Sequence, residues 1–179
     1  RRAGHLCAMR HTRALLSELS AGTAAGGETV AAVGQAVSQA LESSLHVAQA
    51  DILVADWEAG VLRSAVGRLR SLPLDGALAA SLGRRPEGMV VELDHPDPVV
   101  GELPAGEQQW LADGGVHLIM PLTSGREFVG AMVLGEKLSE LPFSSEDHRL
   151  LAPVAAAVAL RIENLRLRDA RTAAAPIDS

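Results

Sequence analysis

The alternation of apolar and polar residues is most regular in the last third of the chain, where it predicts two strands followed by a long helix. Apolar runs cover residues 116–123 and 127–135, and the short polar turn between them is typical of a β-hairpin. Ser144 then precedes a helical pattern, and Asp147 three residues later gives capping-box spacing, with Asp in place of the usual Glu. One apolar stripe recurs along this helix at three- and four-residue steps: Leu151, Val154, Val158, Ile162 and Leu165.

The first part of the chain predicts two helices and a second hairpin. An apolar stripe covers residues 9–20, and a longer amphipathic pattern covers residues 28–48. Two apolar runs follow at 51–57 and 61–67, and the Gly-containing turn between them favours an antiparallel pair of strands.

The middle of the chain predicts shorter elements. Patterns typical of short helices cover residues 75–83 and 105–113, and an apolar run at 88–93 predicts a third strand. The segment 94–104 is too rich in proline for regular structure, so we interpret it as a loop.

The order of these elements predicts an α+β fold. Hairpins at both ends of the strand set favour an antiparallel sheet of five to six strands, with the two long helices on one face. The short helices and loops then cover the other face, where we expect a pocket for a small molecule.

Composition narrows the function classes. A chain of 179 residues that is 47% hydrophobic can build one packed core. A net charge of −6 argues against nucleic-acid binding, and no apolar run suits a signal peptide or a membrane span, so we expect no membrane contact. The single cysteine, Cys7, is typical of a reducing cytoplasm. The opening Arg1 leads us to expect a fragment of a longer cytoplasmic protein.

Four segments of the chain have the order and spacing of the sequence motifs of one known family. They are Gly115–Leu122, which ends in Pro-Leu, Gly130–Lys137, Phe143–Asp147, and Ile162–Leu167. Together they resemble a GAF domain, the small-molecule sensor module related to PAS domains, and the last is similar to the family's terminal Ile-Glu-Asn-Ala-Arg-Leu helix. The resemblance covers residues 14–168, and the fold that it implies is the α+β arrangement described above.

The resemblance implies a domain organisation and a function. Residues 1–13 would be a linker or the start of a signalling helix, 14–168 the GAF domain, and 169–179 a C-terminal linker that we expect to be disordered. Such domains are regulatory modules of multidomain bacterial signal-transduction proteins, including two-component systems. They are often found beside histidine kinase, serine phosphatase or diguanylate cyclase domains. We therefore expect a non-catalytic sensor that relays an unidentified small ligand to an output domain of the same chain. The alternative is a ligand-free structural dimerisation module.

The resemblance also implies a homodimer. GAF domains often dimerise through their first and last helices, which here correspond to residues 9–20 and 145–170. We expect the interface to use the apolar stripe of the last helix: Leu151, Val154, Val158, Ile162 and Leu165.

The ligand chemistries of the family can be compared with this chain. Phytochrome-type members attach a bilin through a cysteine, but Cys7 precedes the domain, which argues against a covalent bilin. The Asn-Lys-x-Phe-Asp-Glu signature of cyclic-nucleotide-binding members is absent from the sequence. Free-methionine-sulfoxide reductase members need several cysteines. The cofactor is therefore unknown, and an unknown small ligand, a haem-like cofactor or no ligand remain.

Four residues are candidate ligand contacts, and each has a plainer structural interpretation. Trp110 could stack on a ligand from its short helix, or it could plug that helix against the sheet. His117 could point into a pocket, or it could be a packed and hydrogen-bonded histidine. Asp75 could contact a ligand, although an N-cap explains it better. Met132, on the strand 127–135, completes the set.

Catalytic and metal sites are not predicted. The sequence contains neither a nucleophile elbow nor a phosphate-binding glycine loop. Glu92, Asp94, His95 and Asp97 are metal-ligand residue types, but the intervening prolines and the lack of regular spacing favour a solvated loop.

Overall fold

The computed structural model describes residues 28–91 and 96–175, together with Arg13, Ala14 and Ser17. Most of the helix predicted at 9–20 therefore lies outside the described residues. The elements, in chain order, are α1 (Val30–Leu45), β1 (Ala50–Asp56), β2 (Val61–Ser64), β3 (Leu72–Pro73), α2 (Ala77–Leu82), β4 (Met89–Val90), α3 (Pro98–Glu102), α4 (Ala105–Asp113), β5 (Leu118–Ser124), β6 (Glu127–Leu134) and α5 (Ser145–Ala174).

The strands form one six-stranded antiparallel sheet in the order β3-β2-β1-β6-β5-β4. The predicted α+β fold and antiparallel sheet are confirmed. In the two central strands Leu53 lies opposite Ala131 and Ile52 lies opposite Met132. Because successive side chains of a strand point to opposite faces, this register divides the interior into two cores.

The first core lies between the sheet and the two long helices, α1 and α5. It contains Ile52, Met120 and Met132 from the central strands, together with Val37 and Leu41 of α1. The apolar stripe of α5 completes it: Leu151, Val154, Val158, Ile162 and Leu165.

The predicted dimer interface is therefore wrong. All five stripe residues are buried inside one chain, with Val158 fully inaccessible to solvent. The apolar face of a sheet must be covered, and α5 covers it with the stripe predicted for the dimer interface.

The second core fills the opposite face of the sheet. Leu53, Ile119 and Val133 point from the strands toward the short helices, which contribute Leu78 and Trp110. This is the predicted layering, with the long helices on one face of the sheet and the short helices and loops on the other. The second face is packed with side chains of the chain itself, and the pocket described below lies at its margin.

Local capping explains where α5 begins. The Ser144 hydroxyl accepts a hydrogen bond from the Asp147 N–H, and the Asp147 carboxylate accepts one from the Ser144 N–H, so the predicted capping box is present. Lys137 Nζ lies 2.6 Å from the same carboxylate and ties the loop before the helix to its first turn. The helix continues through Pro153 to Ala174, so the tail predicted as linker is helical over its first residues.

Two short elements depart from the sequence interpretation. The strand β3 pairs Leu72 with Leu62, and α3 lies within the segment 94–104 that we interpreted as a loop. Asp97 caps α3 by accepting a hydrogen bond from the Val99 N–H, and Pro98 occupies the first turn, where its missing N–H costs nothing. None of the helices in the described parts of the chain is long and apolar enough to cross a bilayer.

Candidate functional site

A pocket of about 400 Å³ opens at the margin of the second core. It lies between α3, α4 and the segment that leads into β5. Its described walls are mostly apolar, with Gln108 and His117 as the polar side chains, and the described residues that line it are Val91, Pro96, Val100, Gly101, Gln108, Leu111, Ala112, Gly115, Val116 and His117. This edge pocket is the candidate ligand site, because small molecules bind in apolar concavities that carry a few polar groups.

His117 forms part of the edge-pocket wall. It is half-buried and directly precedes β5, rather than lying within the strand as its sequence surroundings indicated. Its N–H donates to the Leu134 carbonyl and its carbonyl accepts from the Val91 N–H, both at 2.8 Å. The sheet therefore holds the backbone of His117, while its imidazole is available to the pocket. Ligand contact by His117 stays a prediction.

Gln108 is the second polar side chain of the edge pocket, and sequence reasoning missed it. Its amide nitrogen donates to the Leu103 carbonyl at 2.7 Å and to the Gly101 carbonyl at 3.3 Å. These bonds join α4 to the end of α3 and so hold two walls of the pocket together. An exposed glutamine on a short helix gives no signal in the sequence of such a role.

Trp110 does not line the edge pocket. Its ring is buried in the second core, and its Nε1 donates to the Arg70 carbonyl at 2.8 Å. The tryptophan thus plugs α4 against the sheet, as the structural alternative proposed, and the stacking hypothesis is wrong for this pocket.

Met132 and Asp75 are also away from the edge pocket. Met132 is fully buried in the first core, on the opposite face of the sheet, because its position in β6 points toward α1 and α5. Asp75 is exposed in the turn before α2 and does not cap it, since the N-cap residue is Gly76. Neither residue is a ligand contact in this pocket.

The acidic loop is described only in part. Glu92, Asp94 and His95 lie outside the described residues, while Asp97 caps α3 and forms an ion pair with Arg85. In the portion of the chain with described coordinates, no three His, Cys, Asp or Glu side chains come together as a metal site would require.

Comparison with solved structures identifies the fold. The GAF domain of a phosphoenolpyruvate-protein phosphotransferase from Coxiella burnetii is 19% identical and matches 92% of this chain and 98% of its own, with a TM-score of 0.65. The phycocyanobilin-bound GAF domain of a cyanobacterial phytochrome is 14% identical and matches 88% of this chain and 96% of its own, with a TM-score of 0.64. The chain has a GAF fold.

One of the structures similar to this chain is an enzyme. A free methionine-R-sulfoxide reductase from Neisseria meningitidis, in complex with its substrate, is 18% identical and matches 88% of this chain and 91% of its own, with a TM-score of 0.58. No protein-family model and no curated protein matches the sequence. At these identities the likeness concerns the GAF fold, and the ligand has to be argued from the pocket itself.

Proposed function

We propose that this chain is a non-catalytic regulatory GAF module that binds a small, predominantly apolar and uncharged ligand in the edge pocket. Binding would be relayed to an output domain of the same protein, in a bacterial signal-transduction setting and in the cytoplasm. The described part of the pocket wall is mostly apolar, with His117 and Gln108 as its polar side chains, and this lining supports an uncharged, largely apolar ligand.

One observation carries the proposal: the wall of the edge pocket continues directly into the strand that supports α5. Val116 and His117 line the pocket, and β5 begins at the next residue. Alternate residues of β5, starting with Leu118 and Met120, point away from the pocket side and pack in the first core with α5. A ligand that prefers one position of this wall would therefore bias the position of the long C-terminal helix.

Dimerisation belongs to the proposal with a corrected interface. The outer face of α5 is turned away from the core, and it carries exposed uncharged residues: Pro153, Ala156, Leu160, Asn164 and Leu167. The neighbouring helix α1 exposes Ala32 and Ala36. We propose that a second copy covers this face, so that the helices that relay the signal lie at the interface.

A ligand-free structural module is the second candidate function. It is favoured by the packing of the second core, where Leu53, Leu78 and Trp110 occupy the space over the sheet. On this alternative the edge pocket is only a surface depression, and α1 and α5 serve dimerisation alone.

Ligand screening tests the proposal. Thermal unfolding of the protein should be measured with nucleotides, amino acids, and aromatic acids with their neutral amides. We expect a stabilising compound from the uncharged group. Its effect should disappear in Ala112→Trp, which fills the pocket from an exposed helical position, and persist in Gln109→Trp on the same helix but outside the pocket lining.

Hydrogen exchange with a stabilising compound separates the two candidates further. If the wall relays binding, protection should change in α5 as well as around the pocket. A screen without any stabilising compound would overturn the sensor proposal and favour the structural module.

A further inference from the structure

A second pocket, of about 420 Å³, lies at one end of the first core, and the proposed function does not use it. It is formed where the start of α1, the end of β1, β6 and the C-terminal half of α5 meet. We call it the Trp57 pocket, and the residues that line it are Val30, Val54, Ala55, Asp56, Trp57, Glu58, Val129, Ile162, Arg166 and Asp169.

A fixed turn presents Trp57 at this pocket. Its side chain is 49% exposed, whereas the only other tryptophan, Trp110, is buried. The preceding Asp56 accepts a hydrogen bond from the Ala59 N–H at 2.9 Å and one from Arg63 Nε at 2.8 Å. These two bonds hold the turn between β1 and β2, so the indole is placed at the pocket by a structured segment.

The described lining of the Trp57 pocket carries more negative than positive charge. Arg166 is the only cation among these described lining residues, and it is already paired: its guanidinium lies 3.1 Å from a Glu127 oxygen and 3.2 Å from a Glu163 oxygen. The lining also contains the exposed carboxylates of Glu58 and Asp169. Asp56 is the third carboxylate of the described lining, where it pairs with Arg63, and Asp169 lies 3.9 Å from Arg168. Together with these ion-pair partners, the described lining comprises five carboxylates and three guanidinium groups.

We propose that the Trp57 pocket binds a small organic cation, an ammonium group attached to an apolar body. The apolar walls, including Val54, Val129 and Ile162, would take the body, and the face of Trp57 attracts a positive charge through its ring quadrupole. Glu58 and Asp169 pair with the ammonium group from the rim. An anionic ligand would meet the same carboxylates as like charges.

Such a ligand would touch both long helices and the sheet at once. Val30 begins α1, Ile162 and Asp169 lie on α5, and Val54 belongs to the central strand β1. The cation would therefore hold α5 against the sheet at its C-terminal half, away from the edge pocket. This role does not depend on a ligand in the edge pocket.

Calorimetric titration with phenethylamine, compared with its neutral isostere 2-phenylethanol, tests the proposal. We expect saturable binding of the amine, weaker binding of the alcohol, and a loss of affinity as the salt concentration rises. Glu58→Gln and Asp169→Asn should each weaken binding roughly two- to fivefold, the effect of losing one exposed ion pair. Trp57→Ala should weaken it by roughly the same factor or more.

Matched controls locate the binding. Glu102→Gln combined with Glu136→Gln removes two exposed carboxylates outside the pocket lining and should leave the affinity unchanged. Ala112→Trp, which blocks the edge pocket, should also have no effect, so failure of this inference is distinguishable from failure of the proposed function. Equal binding of amine and alcohol, wild-type affinity in Trp57→Ala, or no saturable binding would overturn the proposal.

Discussion

Glu107 accepts a hydrogen bond from the backbone N–H of Leu78 at 2.9 Å, across 29 positions of sequence. The N-cap residue of α2, Gly76, makes no side-chain cap of its own, so a carboxylate from α4 performs that function. A Cβ at Gly76 would lie 2.2 Å from Glu107 Oε1, so a side chain at this position would have to displace the carboxylate. The contact joins two short helices that cover the second core.

Loss of this carboxylate should destabilise the fold. Because Leu78 N–H is buried and would lose a charged acceptor, Glu107→Ala should lower the free energy of unfolding by about 1.5–3 kcal/mol. Urea denaturation measures the difference. Glu102→Ala, an exposed change on the neighbouring helix α3, should stay within about 0.5 kcal/mol of wild type. Equal effects of the two changes would contradict the capping role.

The two faces of α5 should respond differently to a charge. Val158→Glu places a carboxylate in the first core without a partner, so we expect a loss of about 4 kcal/mol or more, seen as unfolding in circular dichroism. Leu160 lies on the outer face of α5 and is 56% exposed. Leu160→Glu should therefore preserve the fold and convert the proposed dimer to a monomer in sedimentation. A folded, dimeric Leu160→Glu variant would argue against the outer face as the interface.

The buried carboxylate of Asp51 should make stability depend on pH. Burial raises the pKa of Asp51 above its ordinary value near 3.8, although hydrogen bonds from the Ser64 hydroxyl and the Ile52 N–H oppose the shift. The folded state therefore holds this proton more tightly than the unfolded state. Its contribution to stability is largest below about pH 4 and falls as the pH rises through the raised pKa.

Asp51→Asn removes this titrating group, so comparison with wild type isolates its contribution to the free energy of unfolding. Between about pH 4 and neutrality, the stability of wild type relative to Asp51→Asn should decrease with rising pH. Denaturation at a series of pH values provides the comparison, with Asp75→Asn, which removes an exposed carboxylate, as the matched control. A relative stability that increases with pH would show that the hydrogen bonds outweigh burial.

Close packing of the central strands should make Gly130 intolerant of a side chain. A Cβ at this position would lie 2.1 Å from the Leu53 carbonyl oxygen, so Gly130→Ala must displace the backbone of β1 or β6. We expect a loss of at least about 1 kcal/mol. Gly106→Ala, on α4 with nothing near its added Cβ, should instead be neutral or stabilise by about 0.5 kcal/mol. Chemical denaturation of both variants provides the test.

Elements held by local interactions were predictable, whereas elements held by distant partners were not. The capping box at Ser144 and the hairpin of β5 and β6 depend on residues close in sequence. By contrast, β3 exists through its pairing with β2, and α3 is capped by Asp97, which also pairs with the distant Arg85. A two-residue strand carries too little pattern of its own to be seen in a sequence.

In the candidate site, too, the sequence indicated the helix α4, whereas the role of each side chain on it depends on distant partners. Gln108 and Trp110 are two positions apart on α4, yet the first lines the edge pocket and the second is buried in the core. The helical turn sends these side chains in different directions, and only the docking of α4 decides which direction faces the sheet.

The α+β fold, the order of most elements and the apolar stripe that begins at Leu151 could be inferred from the sequence, because these follow from periodicity and capping along the chain. What that stripe covers depends on the folded arrangement: it packs on the protein's own sheet instead of a second copy. The folded arrangement also decided that Met132 belongs to the helix-covered core and His117 to the pocket wall. Periodicity identifies which residues must be buried, but the partner that buries them is chosen by the packing of distant elements.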